Sequence, residues 1–162
     1  MNQHFGSADD LKDLSSALHK QDMFLMLDVV INHMLTTLPL NVTTSSFDVR
    51  RNSSTTDMMP FADMSDFHPL CFIMDYNNQT EVEQCWLGDS LLPYADVDTE
   101  DPNVAGTLKA WIQDVVSNFS VDGLRLSTAK YVSPQFWQDF TREAGVFTIG
   151  EVFKFSSSQS VR

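Results

Sequence analysis

Three apolar runs in this sequence each end in residues able to do ionic or acid–base chemistry. The first, Phe24 to Ile31, contains Asp28 and leads into Asn32 and His33. The second, Val121 to Ser127, contains Arg125 and ends on Ser127, with Lys130 just beyond. The third, Val146 to Val152, contains Glu151. A carboxylate inside an apolar run is uncommon, because a buried charge needs a partner. Asp28 is therefore read either as a structural ion pair, with Arg125 the candidate partner, or as part of a site. Taken alone, Glu151 is as readily a strand end in solvent, and His33 a hydrogen-bonded histidine rather than a ligand. The combination and its order carry the signal, since carboxylates and an imidazole are groups of general acid–base catalysis.

Such residues converge if the three runs are parallel strands, because α/β folds place their chemistry at the carboxyl ends of strands. The intervening pattern supports this. Asp9 to Gln21 is periodic, with Leu11, Leu14, Ala17 and Leu18 on one helical face, and Ser7 with Asp10 forms a capping-box pattern. Phe24 to Ile31 is nearly continuous in apolar residues, as a buried parallel strand is. Val104, Leu108, Trp111, Ile112, Val115, Val116 and Phe119 follow a helical period. Ser133 and Pro134 suit the N-cap and first position of another helix, lined by Phe136, Trp137, Phe140 and Ala144 and ended by Gly145. The order helix–strand, insertion, helix–strand, helix–strand implies parallel strands joined by right-handed crossovers. Alternation along the second strand sets Gly123, Arg125 and Ser127 on one face, with Leu124 and Leu126 turned to the helices. Between the first strand and the second helix, from about Met34 to Asp101, the chain is rich in Thr, Ser, Asn, Asp and Pro without a sustained period. That stretch reads as an irregular insertion of loops and short strands, and loops of such length usually serve function.

The chain has 162 residues, which suggests one domain but falls short of the roughly 250 residues of a complete eight-fold α/β barrel. Its 22 acidic against 10 basic residues give a formal charge of -12. That balance argues against a nucleic-acid partner, which requires clustered Lys and Arg, and against an anionic membrane surface. No apolar run reaches the length of a membrane span. The opening MNQHFGSADD has neither the basic nor the apolar region of a secretory signal, so none is expected in the chain as written. Four N-x-[ST] sequons nevertheless occur, at Asn41, Asn52, Asn78 and Asn118, as candidate glycosylation sites. Cys71 and Cys85, fourteen residues apart, suit either a local disulfide or two buried thiols, and counting leaves both open.

The segment Asp28-Val29-Val30-Ile31-Asn32-His33 resembles the first signature of the α-amylase family, glycoside hydrolase family 13. Gly123-Leu124-Arg125-Leu126-Ser127-Thr128-Ala129-Lys130-Tyr131 resembles its second, and Gly150-Glu151-Val152 its third. Phe67-His68-Pro69-Leu70-Cys71 and Glu83-Gln84-Cys85-Trp86-Leu87-Gly88-Asp89 resemble the small domain B of fungal secreted members. The resemblance implies an α/β fold: a partial (β/α)8 TIM barrel, about strands three to five, with domain B inserted after strand three. By that layout residues 1–33 are barrel, 34–103 the insertion and 104–162 barrel again. Strands one, two and six to eight are expected outside the chain, and a fourth signature with a further catalytic-site Asp and a histidine has no counterpart in it. The resemblance also implies a Cys71–Cys85 disulfide and an extracellular setting.

The family hydrolyses α-1,4-glucans, such as starch and maltooligosaccharides, with retention, using one carboxylate as nucleophile and another as acid/base. By position the acid/base is Glu151, the arginine that positions the nucleophile is Arg125, and the nucleophile falls on Ser127 where the family has Asp. His33, Lys130 and Asp28 match substrate-binding positions. A serine cannot stabilise an oxocarbenium-like charge as a carboxylate does, so the chain is expected to be inactive or nearly so. The family also binds Ca²⁺, matched here by the side chains of Asn32 and Asp96 and the backbone carbonyls of Glu83 and Tyr131, the last replacing the family's histidine. An alternative expectation is a non-catalytic remnant that binds carbohydrate or calcium.

Overall fold

The computed structural model describes residues 3–35, 60–61 and 63–152. Helix α1, Ala8–His19, starts where Ser7 caps it: the Ser7 hydroxyl accepts from the Asp10 N–H, and the Asp10 carboxylate accepts from the Ser7 N–H at 2.7 Å. Leu11 and Leu18 pack toward the core, but Leu14 is half exposed and Ser15 is buried in its place. The Ser15 hydroxyl donates to the Ser120 carbonyl at 3.3 Å, which rotates the helix away from the face that its leucines alone would choose. Asp122 ties the end of α1 to the first strand, accepting from the Leu25 N–H at 2.7 Å and lying 2.8 Å from His19 Nε2.

Strands β1 (Met26–Val29), β5 (Gly123–Leu126) and β6 (Phe147–Gly150) form a parallel sheet in the order β1-β5-β6. Each is shorter than its apolar run, because the run continues beyond the ladder into the turns that carry the polar residues. The crossovers are α3 (Pro102–Phe119) and α4 (Pro134–Ala144). Asp101 caps α3 by accepting from the Asn103 and Val104 N–H groups, and Ser133 caps α4 from the Phe136 N–H. Gly145 ends α4 at φ 67°, in the left-handed region that favours glycine. The two helices pack on each other and on one face of the sheet, burying Ile112, Leu124, Leu126, Phe136 and Phe140. The register runs Met26–Gly123–Phe147 and Asp28–Arg125–Ile149 across the three strands. The opposite face therefore carries Met26, Asp28, Arg125, Phe147 and Ile149, in agreement with the expected alternation.

The insertion between Val29 and α3 is not featureless. Strands β2 (His33–Leu35), β3 (Leu87–Gly88) and β4 (Pro93–Asp96) make a small antiparallel sheet in the order β2-β4-β3, beside helix α2 (Gln79–Gln84). Trp86, Val82, Ala95 and Val97 are buried beneath it. Cys71 and Cys85 form a disulfide with Cα atoms 4.9 Å apart, which decides between the two readings that their spacing left open. Closing a loop of this length removes unfolded-state entropy worth about 3 kcal/mol. Reduction of the purified chain is expected to lower its unfolding free energy by about that amount, read as a shifted urea midpoint with and without reductant. Among the described residues, no helix is long and apolar enough to cross a membrane.

Candidate functional site

The parallel register places Asp28 beside Arg125 on neighbouring strands. The Arg125 guanidinium pairs through Nη1 with Asp28 and through Nη2 with Glu151 at 2.5 Å. Glu151 reaches this position because its own N–H continues the ladder, donating to the Leu126 carbonyl at 2.9 Å just beyond β6. The pairing reading of Asp28 is met: it is Arg125's partner at the strand ends. Ser127 sits on the same rim, its N–H donating to the Val29 carbonyl at 3.2 Å and its hydroxyl 3.4 Å from that oxygen. Among the described residues, no hydrogen bond joins Ser127 to Asp28 or Glu151. The Thr128 hydroxyl is buried without a hydrogen-bond partner.

His33 lies in β2 with its ring edge-on to Tyr94 at 4.8 Å, and burial lowers its pKa toward the neutral form. Lys130 is turned to the insertion: its ammonium donates to the Tyr76 carbonyl at 3.3 Å and stands 5.7 Å from the Tyr76 ring. Nothing in the spacing of Lys130 pointed to Tyr76, which lies 54 residues away.

A second cluster lies where the insertion meets the barrel. The β2–β4 register sets His33 opposite Asp96, and the Val97 N–H donates to the Asn32 carbonyl at 2.8 Å. This brings the Asn32 amide onto the Asp96 carboxylate, Nδ2 donating to Oδ1 at 2.9 Å. Both residues are 1% exposed, and Asn32 Oδ1 is buried with no hydrogen-bond partner. An orphaned buried amide oxygen next to a buried carboxylate is a donor set that fits a hard cation such as Ca²⁺. Glu83, in the last turn of α2, and Tyr131, in the single turn Ala129–Tyr131, lie on elements that pack together, with Gln79 Nε2 donating to the Lys130 carbonyl at 3.2 Å.

Sequence reasoning missed three further members of this cluster. His68 Nδ1 is 2.7 Å from Asp96 Oδ2, and His68 Nε2 is 3.0 Å from Glu100 and 3.4 Å from Asp98. The alternating Asp96, Asp98 and Glu100 were visible as an acidic run, but His68 is 28 residues from Asp96 in sequence. Burial works to lower the His68 pKa, yet the surrounding carboxylates of Asp96, Glu100 and Asp98 outweigh it and hold it up to about 10. Burial pushes Asp96 up to about 7, against the opposing hydrogen bond from His68. A group whose pKa is raised on folding stabilises the fold below its unfolded pKa and loses that contribution as pH rises through its folded pKa. Both groups act in this sense, so in calcium-free buffer the unfolding midpoint is expected to fall as pH rises from about 6.5 toward 10, the window set by His68. A midpoint that rises across that window would contradict this electrostatic account.

Two of the four sequons lie on the described surface. Asn78 is exposed at the N-cap of α2, and Asn118 is exposed in the last turn of α3. Asn41 and Asn52 lie outside the described residues.

Comparison with known proteins follows the same outline. The family model for the alpha-amylase catalytic domain matches residues 1–155. Alpha-amylase 1 of Lipomyces kononenkoae is 40% identical over 156 residues, covering 94% of this chain and 23% of that protein. The alpha-amylase of Saccharomycopsis fibuligera is 41% identical over 154 residues, covering 95% and 29%. Among solved structures, an alpha-amylase from Malbranchea cinnamomea superposes with a TM-score of 0.81 at 40% identity, over 95% of this chain and 30% of that one. An alpha-amylase from Geobacillus thermoleovorans, solved in complex with acarbose, gives 0.73 at 32% identity, over 95% and 31%. The chain spans less than a third of the length of each of these relatives.

Proposed function

The chain belongs to the alpha-amylase catalytic-domain family, and from that membership we propose that it is a segment of a glycoside hydrolase directed at α-1,4-glucans whose catalytic set lacks its nucleophile. Its fold is the part of the α/β barrel around three parallel strands, with domain B between the first and second of them. The observation that carries the reading is the Arg125 bridge. One guanidinium joins Asp28 and Glu151 at the carboxyl ends of three adjacent strands, with Ser127 on the same rim. The acarbose complex of the Geobacillus relative supports a glucan-directed cleft, with maltooligosaccharide as the small ligand.

In the retaining reaction one carboxylate attacks the anomeric carbon and forms a glycosyl ester, while the other gives a proton to the leaving oxygen and then takes one from water. Glu151 is the acid/base. Arg125, matched by position to the arginine that positions the nucleophile, pairs with Glu151 through Nη2 and with Asp28 through Nη1. The nucleophile position falls on Ser127, whose hydroxyl is neutral and rests against the Val29 carbonyl. A serine becomes a nucleophile only with a base to take its proton, and Glu151 is committed as the acid. His33 and Lys130 are assigned to the sugar-binding rim. The purified chain is expected to release no reducing ends from soluble starch above background; robust hydrolysis by it would overturn the reading.

Asn32 and Asp96, with the backbone carbonyls of Glu83 and Tyr131, would hold Ca²⁺, which supplies an electrostatic cross-link between insertion and barrel. The disulfide and the exposed sequons Asn78 and Asn118 support an extracellular setting. The acidic charge speaks against nucleic-acid and membrane partners. The buried, unpartnered Asn32 Oδ1 also favours a second reading, a non-catalytic remnant that keeps calcium or carbohydrate binding. Calorimetric heat with Ca²⁺ or maltooligosaccharide but no hydrolysis would favour it, and no heat with either would remove it.

A further inference from the structure

We infer that His68 is the positioning residue that aims the Asp96 carboxylate at the cation site; the assignment rests on the calcium reading above. Asp96 has two oxygens and both are held. Oδ1 receives the Asn32 amide at 2.9 Å, and Oδ2 lies 2.7 Å from His68 Nδ1. A carboxylate gripped at both oxygens cannot rotate about its own axis, so its remaining lone pairs keep one direction.

The grip is only as rigid as the imidazole, which is contacted at both ring nitrogens and carried on a main chain that is itself tied down. The His68 N–H donates to the Asp96 carbonyl at 2.9 Å, so the two residues are joined by main chain as well as by side chain. The His68 carbonyl accepts from the Trp86 indole N–H at 3.0 Å, and Trp86 is fully buried. On the far edge of the ring, Nε2 is held 3.0 Å from Glu100 and 3.4 Å from Asp98. His68 itself is 7% exposed. The result is a strut from the Trp86 core through His68 to Asp96, ending where Asn32 Oδ1 is left without a partner. Groups that orient a ligand in this way are worth about 10–100-fold in metal affinity.

Two isosteric substitutions separate aiming from simple packing. In His68→Asn the amide nitrogen falls at the place of Nδ1, so donation to Asp96 is kept and the Glu100 contact is lost. In His68→Gln the amide nitrogen falls at the place of Nε2, so the Glu100 contact is kept and Asp96 is released. The measurements are the calorimetric Kd for Ca²⁺ and the Ca²⁺-dependent rise of the unfolding midpoint, on the full, disulfide-bonded chain. His68→Gln is expected to weaken Ca²⁺ binding by about 10–100-fold and to shrink the midpoint rise, while His68→Asn stays near the unsubstituted chain in both. Equal loss in the two variants, or no loss in His68→Gln, would overturn the assignment and leave the calcium reading standing. A chain with no Ca²⁺ affinity before substitution would overturn both. Should His68→Gln fail to fold, His68→Asn decides alone: near-native affinity supports the aiming role, and a tenfold loss overturns it.

Discussion

A complete alpha-amylase barrel that carries residues 1–152 of this chain in place of its own segment is expected to hydrolyse starch about four orders of magnitude more slowly than its parent. Changing Ser127 to Asp in that hybrid is expected to recover most of the loss. Removing one member of a catalytic set costs on this order in kcat, equivalent to about 5 kcal/mol of transition-state stabilisation. The contacts around Ser127 argue against compensation by a neighbour. Asp28 is engaged by Arg125 Nη1 from the adjoining strand, and Glu151 by Nη2. The Ser127 hydroxyl faces a backbone carbonyl rather than a base. The loss should fall on kcat more than on KM, because the missing carboxylate acts on charge that develops only in the transition state. A serine hybrid within tenfold of its parent would show that another group supplies the nucleophile and would remove Ser127 from the account.

The second large effect is on stability. Trp86→Ala is expected to destabilise the chain by about 3–5 kcal/mol, since truncating a buried tryptophan loses its transfer free energy and leaves a cavity. Trp86 is fully buried under the small sheet and donates its indole N–H to the His68 carbonyl. Trp86→Phe keeps most of the packing but strands that carbonyl, at a cost of about 1–3 kcal/mol. A domain's whole stability is about 5–15 kcal/mol, so the alanine variant should shift the urea midpoint strongly. Leu91→Ala is the control, because Leu91 is 85% exposed and such surface changes stay within about 0.5 kcal/mol. A Trp86→Ala midpoint no lower than that of Leu91→Ala would mean that the insertion contributes nothing to the cooperative unit.

Much of this architecture was legible in the sequence because it depends on near neighbours. The Ser7–Asp10 capping box, the Ser133 cap and the Gly145 stop each involve residues within a few positions of one another, and all are present. The facing of Leu124 and Leu126 against Arg125 follows from alternation along one strand. The α1 face was read less well. Its leucines suggested one orientation, but Leu14 is half exposed and Ser15 is buried because α3 and its C-cap Ser120 set the docking. Strand lengths were overestimated, since a ladder ends where its neighbours end and not where the apolar residues do.

The residue types at the strand ends, the serine at position 127, the acidic charge and the disulfide-compatible cysteines were determined by the sequence itself, each being a matter of composition or short spacing. The tertiary structure decided which of them meet. It placed Arg125 between carboxylates 97 and 26 residues away, Asn32 against Asp96 across 64 residues, and His68 against Asp96 across 28. Such contacts come from strand register and from crossovers packed on a shared core. A reading that sees only local periodicity holds no information about them, because the free energy that selects them is released only when the separated elements dock.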